Sequence, residues 1–262
     1  MSDSDDHPTR PAGAQRRLTM QKIHVLLKKE ELDGERLDSK VVIVLDILFA
    51  TTTMVGVLAD GATAVLPMPD GDAALAEVAR HPAGSCLLAG ELNAETLPGF
   101  LSATPANLLA EGVKGRALVY ATTNGTPAVL AARSAHAVFV AALTNARAVV
   151  DHVVRHHPDR TVLLVCAGSA GRFNLEDFYG AGYLVSLFRA AAGQREYTDA
   201  ALAADLLHAQ GEGQPEERHA LWLARVGQRM LSKGLESEVR YAARKSWLDV
   251  VPCFDGERVV PA

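Results

Sequence analysis

The chain has 262 residues, 48% of them apolar and 22% charged, with 26 Lys and Arg against 31 Asp and Glu for a formal net charge of -5. These proportions exclude a disordered chain, a collagen and a disulfide-stapled miniature, and at roughly 150 residues per domain they predict one large domain. No basic surplus points to nucleic acid or to an anionic membrane, whereas a small anionic substrate needs only local positive potential.

Residues 1–19 are rich in Asp, Arg, Pro and Gly and have no apolar core segment. They read as a disordered tail rather than a signal peptide, ahead of a single α/β domain over 20–262. From there short β-branched runs alternate with alanine-rich helical stretches. Strands are predicted at Lys22–Leu27 and at Val41–Leu45, the latter a continuous buried run. A helix over Thr51–Asp60 stops at Gly61, and a strand follows at Ala62–Leu66. Asp70–Arg80 is a helix with Asp70 as its N-cap. Cys86–Ala89 is a strand, followed by an irregular loop from Gly90 to Thr104. Pro105–Glu111 starts a helix with proline in the first turn. Ala117–Tyr120 and Ala137–Val140 are strands around a helix at Thr126–Arg133. Thr144–His156 is a helix capped by Thr144, Thr161–Val165 a strand, and Asn174–Ala190 a long helix. Residues 197–244 read as a helical subdomain, broken around Gly211–Pro215. Two short strands, Leu248–Val251 and Arg258–Val260, close the chain. Such alternation predicts a mostly parallel sheet with helices on both faces and a site at the carboxyl ends of the strands.

The polar residues collect after the strands. Asp46 and Thr51-Thr52-Thr53 follow the first buried run, and Gly90-Glu91 follow the next. Thr122-Thr123-Asn124-Gly125-Thr126 and then Cys166-Ala167-Gly168-Ser169-Ala170-Gly171-Arg172 follow two more, with Glu176 and Asp177 on the helix after that. Glycine turns and helix amino termini at these places offer backbone N–H groups to a tetrahedral anion. The carboxylates Asp46, Glu91, Glu176 and Asp177 face one obvious cation, Arg172. Several carboxylates beside an anion call for a divalent cation, and oxygen ligands without a His or Cys set favour Mg²⁺. Each segment taken alone has a plainer reading, as a connection or a helix cap. Their shared position at the ends of successive strands is what points to a site.

Other chemistries fit parts of the pattern. Cys166 and Arg172 make a C-x5-R, the spacing of thiolate phosphatases, although the surrounding carboxylates would raise the thiol pKa. Asp46 has no second Asp two residues on, which favours a metal ligand or general base over an aspartyl nucleophile. His152 and His156, spaced i, i+4, read as a solvated helix face rather than a metal chelate.

The motifs D-I-L-F-A-T-T-T at Asp46–Thr53, A-G-E at Ala89–Glu91, T-T-N-G-T at Thr122–Thr126 and C-A-G-S-A-G-R-F-N-L-E-D at Cys166–Asp177 resemble the 2-phosphosulfolactate phosphatase family. So does the ending D-V-V-P-C-F-D-G-E-R-V-V-P at Asp249–Pro261. The resemblance implies an α/β fold and a Mg²⁺-dependent hydrolase that removes phosphate from a 2-phospho-3-sulfo acid. Carried onto this chain, it implies that Asp46, Glu91 and Asp177 hold Mg²⁺. Arg172, with Thr51, Thr52, Asn124, Gly125, Thr126, Gly168, Ser169 and Gly171, then cradles the anion. Two positions depart from the family pattern: Phe49 stands where the family has Arg, and G-F-L-S-A-T-P at Gly99–Pro105 lacks its carboxylate. Phe49 and Leu101 therefore motivate an alternative, a repurposed enzyme acting on a non-phosphorylated carboxylate as a C–N or C–C hydrolase or an isomerase. A non-catalytic binding protein is a third reading, opposed by the retained charged residues.

Three widely spaced cysteines, Cys86, Cys166 and Cys253, fit a reducing cytoplasm rather than a disulfide framework. The longest apolar run, Val41–Ala59, is interrupted by Asp46 and three threonines, so no membrane span is expected. An enzyme of this size is expected to form a homo-oligomer, a dimer in the simplest case.

Overall fold

The computed structural model describes residues 20–262, so the expected tail at 1–19 lies outside the described residues. The strands are β1 (Gln21–Leu26), β2 (Val41–Leu45), β3 (Ala64–Met68), β4 (Cys86–Leu92), β5 (Glu95–Thr96), β6 (Ala117–Ala121), β7 (Ala137–Ala141), β8 (Val162–Cys166), β9 (Arg195–Tyr197), β10 (Pro252–Phe254) and β11 (Val259–Pro261). The helices are α1 (Ala50–Ala59), α2 (Gly71–Val78), α3 (Pro105–Ala110), α4 (Gly125–Ala131), α5 (Ala146–His156), α6 (Leu175–Ala190), α7 (Asp199–Gly211), α8 (Ala220–Leu223), α9 (Arg225–Ser232) and α10 (Glu236–Ala243).

The expected α/β architecture is present as one 11-stranded sheet in the order β5-β4-β6-β3-β11-β10-β7-β2-β8-β1-β9. All five residues of β2 are fully buried between the parallel neighbours β7 and β8, which is why its sequence is an unbroken apolar run. The sheet is mixed, not wholly parallel. Three successive antiparallel pairings, β7 with β10, β10 with β11 and β11 with β3, separate two parallel halves. Along the sheet those halves therefore run in opposite senses. The carboxyl ends of β2 and β8 nonetheless share one cavity with those of β4 and β6. Their convergence is therefore not that of a single parallel edge.

Local chemistry explains where elements begin. Asp70 caps α2, its carboxylate accepting from the Ala73 amide at 2.8 Å. Thr144 does not cap α5. Asn145 ends the preceding 3₁₀ turn, its Oδ1 accepting from the Ala142 amide, and the Thr144 carbonyl accepts from the Trp247 and Leu248 amides. Those two bonds, with Ser246 N–H to Leu143 O, also explain why Leu248–Val251 is not a strand. The chain is pinned over the start of α5 and enters the sheet only at Pro252. The loop after Gly90 contains β5, folded back antiparallel on β4. The helical stretch after Tyr197 is divided into α7 to α10, and α7 lies close against α6. A Cβ at Gly182 would come within 2.0 Å of the Ala204 carbonyl oxygen. Among the described residues no helix is long and apolar enough to cross a membrane.

Candidate active site

Three buried threonines shape the turn that presents Asp46. Thr51 Oγ1 accepts from the Asp46 amide and donates to the Asp46 carbonyl, at 2.9 and 3.0 Å. Thr52 Oγ1 donates to the Ile47 carbonyl and Thr53 Oγ1 to the Ala103 carbonyl. Their hydroxyls are spent on the backbone, so Thr51 and Thr52 act on a ligand only through the turn they hold. The Asp46 carboxylate, left over from this network, lines a cavity of about 400 Å³.

On the same side of the cavity, α4 begins hard against this turn. A Cβ at Gly125 would lie 2.3 Å from Ala50 Cβ and 2.7 Å from Asp46 Oδ2, so only glycine allows the approach. Gly125 and Thr126 are buried behind the wall, the Thr126 hydroxyl accepting from the Thr122 amide. Asn124 does line the cavity. Its Oδ1 accepts from Lys29 Nζ at 3.0 Å and from the Ala170 amide at 3.4 Å.

The loop after β8 is a tight turn closed by two backbone bonds between Ser169 and Arg172, with Gly168, Ala170 and Gly171 at positive φ. Gly168, Ser169 and Ala170 face the cavity. Gly171 and Arg172 are not in its wall. The Gly171 carbonyl accepts from Lys28 Nζ, and the Arg172 residue is exposed. Cys166 ends β8 with no exposure at all. Burial first, then the charges of Asp177 and Glu176, push its thiol well above the ordinary range. A thiolate nucleophile at Cys166 is therefore ruled against by its surroundings.

Two of the expected metal ligands are occupied. Glu91 accepts from Thr123 N at 2.7 Å, Thr123 Oγ1 at 3.0 Å and Ala94 N at 2.5 Å. Asp177 accepts from Ile47 N at 2.9 Å and Gly168 N at 3.2 Å, bracing the end of β2 to the end of β8. These carboxylates and the amides expected to bind an anion satisfy one another. Asp46, Glu91 and Asp177 thus do not form a three-carboxylate cage. Among the described residues no group of three or more His, Cys, Asp or Glu is arranged for a metal. His152 and His156 pack in a tilted pair, 4.3 Å between ring centroids, on α5, beside Phe139 and outside the cavity wall.

What remains is a set of buried carboxyl groups that resist ionisation for want of positive charge beside them. Burial, then Glu91 and Glu176, raise the Asp46 carboxyl to about 7, offset only by the Ala50 amide and Lys29. Burial likewise raises Glu176 to about 7 and Asp177 well above its usual range. Such a cluster is suited to a cation. Mg²⁺ commonly takes only one or two protein carboxylates and fills its shell with water and substrate oxygens, a demand that Asp46 can meet.

The opposite wall was not found from sequence. Arg225, Val226, Arg229 and Met230 of α9 line it, with Lys233 just beyond. Glu95 of β5 takes Arg229 at 2.9 Å and Lys233 at 2.7 Å, tying the β4–β5 hairpin to α9. Nothing in an amphipathic helix remote in sequence marks its polar face as a cavity wall. Lys29 was within reach of sequence reasoning, because Lys28-Lys29 follow β1 as the other motifs follow their strands. Phe49 lines the cavity, 8% exposed, as an apolar patch. Leu101 does not line it. Its backbone pairs with β4 beside Ala89, and the next residues, Ser102 to Thr104, form the wall.

A family model described as 2-phosphosulpholactate phosphatase matches residues 26–257. The chain is 39% identical over 224 residues to a probable 2-phosphosulfolactate phosphatase of Deinococcus radiodurans, covering 85% of this chain and 90% of that one. It is 36% identical over 232 residues to one of Carboxydothermus hydrogenoformans, covering 88% and 92%. With one of Symbiobacterium thermophilum the identity is 33% over 228 residues, covering 87% and 96%. These names lend no support to chemistry on a non-phosphorylated carboxylate.

Proposed function

This chain belongs to the 2-phosphosulpholactate phosphatase family, hydrolases of phosphate monoesters, and on that premise we propose that it removes phosphate from a small acid of the 2-phosphosulfolactate kind. The observation that carries this reading is the Asp46 carboxylate, which lines the cavity with only the Ala50 amide and Lys29 to offset its charge, whereas Glu91 and Asp177 are each held by two backbone amides. Asp46 would hold Mg²⁺, with Glu176 behind it adding negative potential. Bound there, the ion supplies neutralisation of phosphoryl charge. Lys29 keeps the Asn124 side chain turned toward Ala170, so that the Asn124 Nδ2 group is free to donate to a phosphoryl oxygen. Ser169 adds a hydroxyl on the same side. In the reaction water adds to phosphorus, the P–O ester bond breaks, and the leaving alkoxide takes up a proton that the attacking water gives up. Braced by Glu91 and Asp177, these groups need not reorganise as charge develops. We place the enzyme in the cytoplasm, working as a homodimer.

The test is release of inorganic phosphate from a panel of phosphomonoesters, with Mg²⁺ and with EDTA. Release that EDTA abolishes and Mg²⁺ restores is expected. No release from any acid-bearing ester would refute the phosphatase reading, and release indifferent to EDTA would refute the metal.

A further inference from the structure

The cavity has two electrostatically distinct sides. The side built from strand ends is acidic at its floor, and Lys29, the cation beside it, is committed to Asn124 and Glu30. The turn before α1 contributes Leu48 and Phe49, which are apolar. Positive charge lining the cavity therefore comes from the α9 side. Two of the three cations there, Arg229 and Lys233, share the single carboxylate of Glu95 as their partner. Arg225 is different. It lines the cavity, is exposed, and has no hydrogen bond or ion pair among the described residues. Its positive charge does reach the acidic floor, where it draws Glu176 downward against the larger effect of burial.

A phosphate monoester of a plain alcohol carries its charge at one end. Seated against Asp46 with a cation, it would leave the Arg225 guanidinium without a counter-ion. A carboxylate or sulfonate on the same substrate would instead be met by the guanidinium with two donors in a planar fork. Resting on the phosphatase reading above, we propose that Arg225 recognises the substrate's second acidic group and sets the preference for acid-bearing over neutral phosphate monoesters. The phosphoryl group lies on the Asp46 and Asn124 side and the second acid on the α9 side.

Three esters on one two-carbon skeleton test this: ethyl phosphate, which has no second acid, 2-phosphoglycolate, which adds a carboxylate, and 2-(phosphonooxy)ethanesulfonate, which adds a sulfonate. The ratio of kcat/KM for each acid-bearing ester to that for ethyl phosphate is measured in the wild type, Arg225→Ala and Arg225→Lys. The ratio is expected to fall roughly 10- to 100-fold in Arg225→Ala, chiefly through KM, and to recover in part in Arg225→Lys. Whichever acid suffers the larger fall is the one that depends more on Arg225. Calorimetric titration of the same esters reads the same ratio as dissociation constants, independent of turnover. A ratio in Arg225→Ala within twofold of wild type, by either measurement, overturns the assignment. A fallen binding ratio without any phosphate release sustains the assignment and overturns only the phosphatase reading. Arg225 is exposed at the start of α9, so the variants should unfold at the wild-type temperature, which the same samples report.

Discussion

Replacing Asp46 by Asn should stabilise the metal-free protein while removing its activity. The Asp46 carboxyl sits at about 7 in the folded chain against 3.8 as its ordinary value, because it is buried beside Glu91 and Glu176. The folded state thus holds the proton more tightly than the unfolded state, and ionisation opposes folding. The penalty is absent below about pH 4, grows by about 1.4 kcal/mol per pH unit, and levels off above pH 7 at roughly 4 kcal/mol. Asn keeps the shape and discards the charge. For a chain of this size each kcal/mol is worth about 2–4 °C, so Asp46→Asn should melt roughly 8–16 °C above the wild type at pH 8 in EDTA. At pH 5 most of that advantage should be gone. Thermal unfolding followed by circular dichroism at pH 5, 6, 7 and 8 measures the difference directly. Saturating Mg²⁺ should raise the wild type toward the variant at pH 8 and leave the variant unmoved. A melting difference that is zero, negative or constant from pH 5 to pH 8 would refute the reasoning, because a carboxylate pushed up by burial must show this window.

Cys166→Ser should turn over at close to the wild-type rate with a stability loss of about 1–2 kcal/mol, since the buried thiol reacts with nothing but its polar replacement needs a partner. A loss of activity beyond tenfold in a folded Cys166→Ser sample would restore the thiolate mechanism. Glu238 of α10 is buried and accepts from Thr104 Oγ1 at 2.7 Å, Ala106 N at 2.9 Å and Asn107 Nδ2 at 3.0 Å, holding the turn before α3 that walls the cavity. Glu238→Ala should cost about 2–4 kcal/mol in a urea melt by orphaning these donors, with Glu238→Gln costing less. Gly125→Ala should lower both stability, by about 1–3 kcal/mol, and phosphatase activity, because the added methyl displaces Ala50 or Asp46. Unchanged activity in Gly125→Ala would show that the contact between α1 and α4 does not position Asp46.

Much of the site is built from mutual satisfaction between opposite partners of the chain. Glu91 and Asp177 are held by amides, and those amides are thereby withdrawn from ligand binding. The withdrawal concentrates function on few groups: Asp46 and Asn124 on one side, and the α9 cations on the other. It also makes the loops rigid, since each carboxylate bridges two strand ends that are otherwise joined only through the sheet.

The chain order of the strands other than the short β5 and β9, the apolar continuity of β2, and the clustering of polar motifs at the ends of β2, β4, β6 and β8 were legible from the sequence alone. They depend on residue periodicity and on turn chemistry, which act over a few neighbours. The β10 strand was misplaced by a few residues because backbone bonds to Leu143 and Thr144, about a hundred positions away, decide where the chain enters the sheet. The roles within the site were decided by the tertiary structure for the same reason. Asp177 looks like a ligand until its oxygens meet Ile47, 130 residues distant, and Gly168. Arg172 looks like the cradle's cation until the turn carries it outside the wall, and Arg225 looks like any surface residue until α9 closes the cavity. A carboxylate or guanidinium has the same chemistry wherever it stands. Its function follows from which partners reach it first, and that is settled by contacts between segments far apart in the chain.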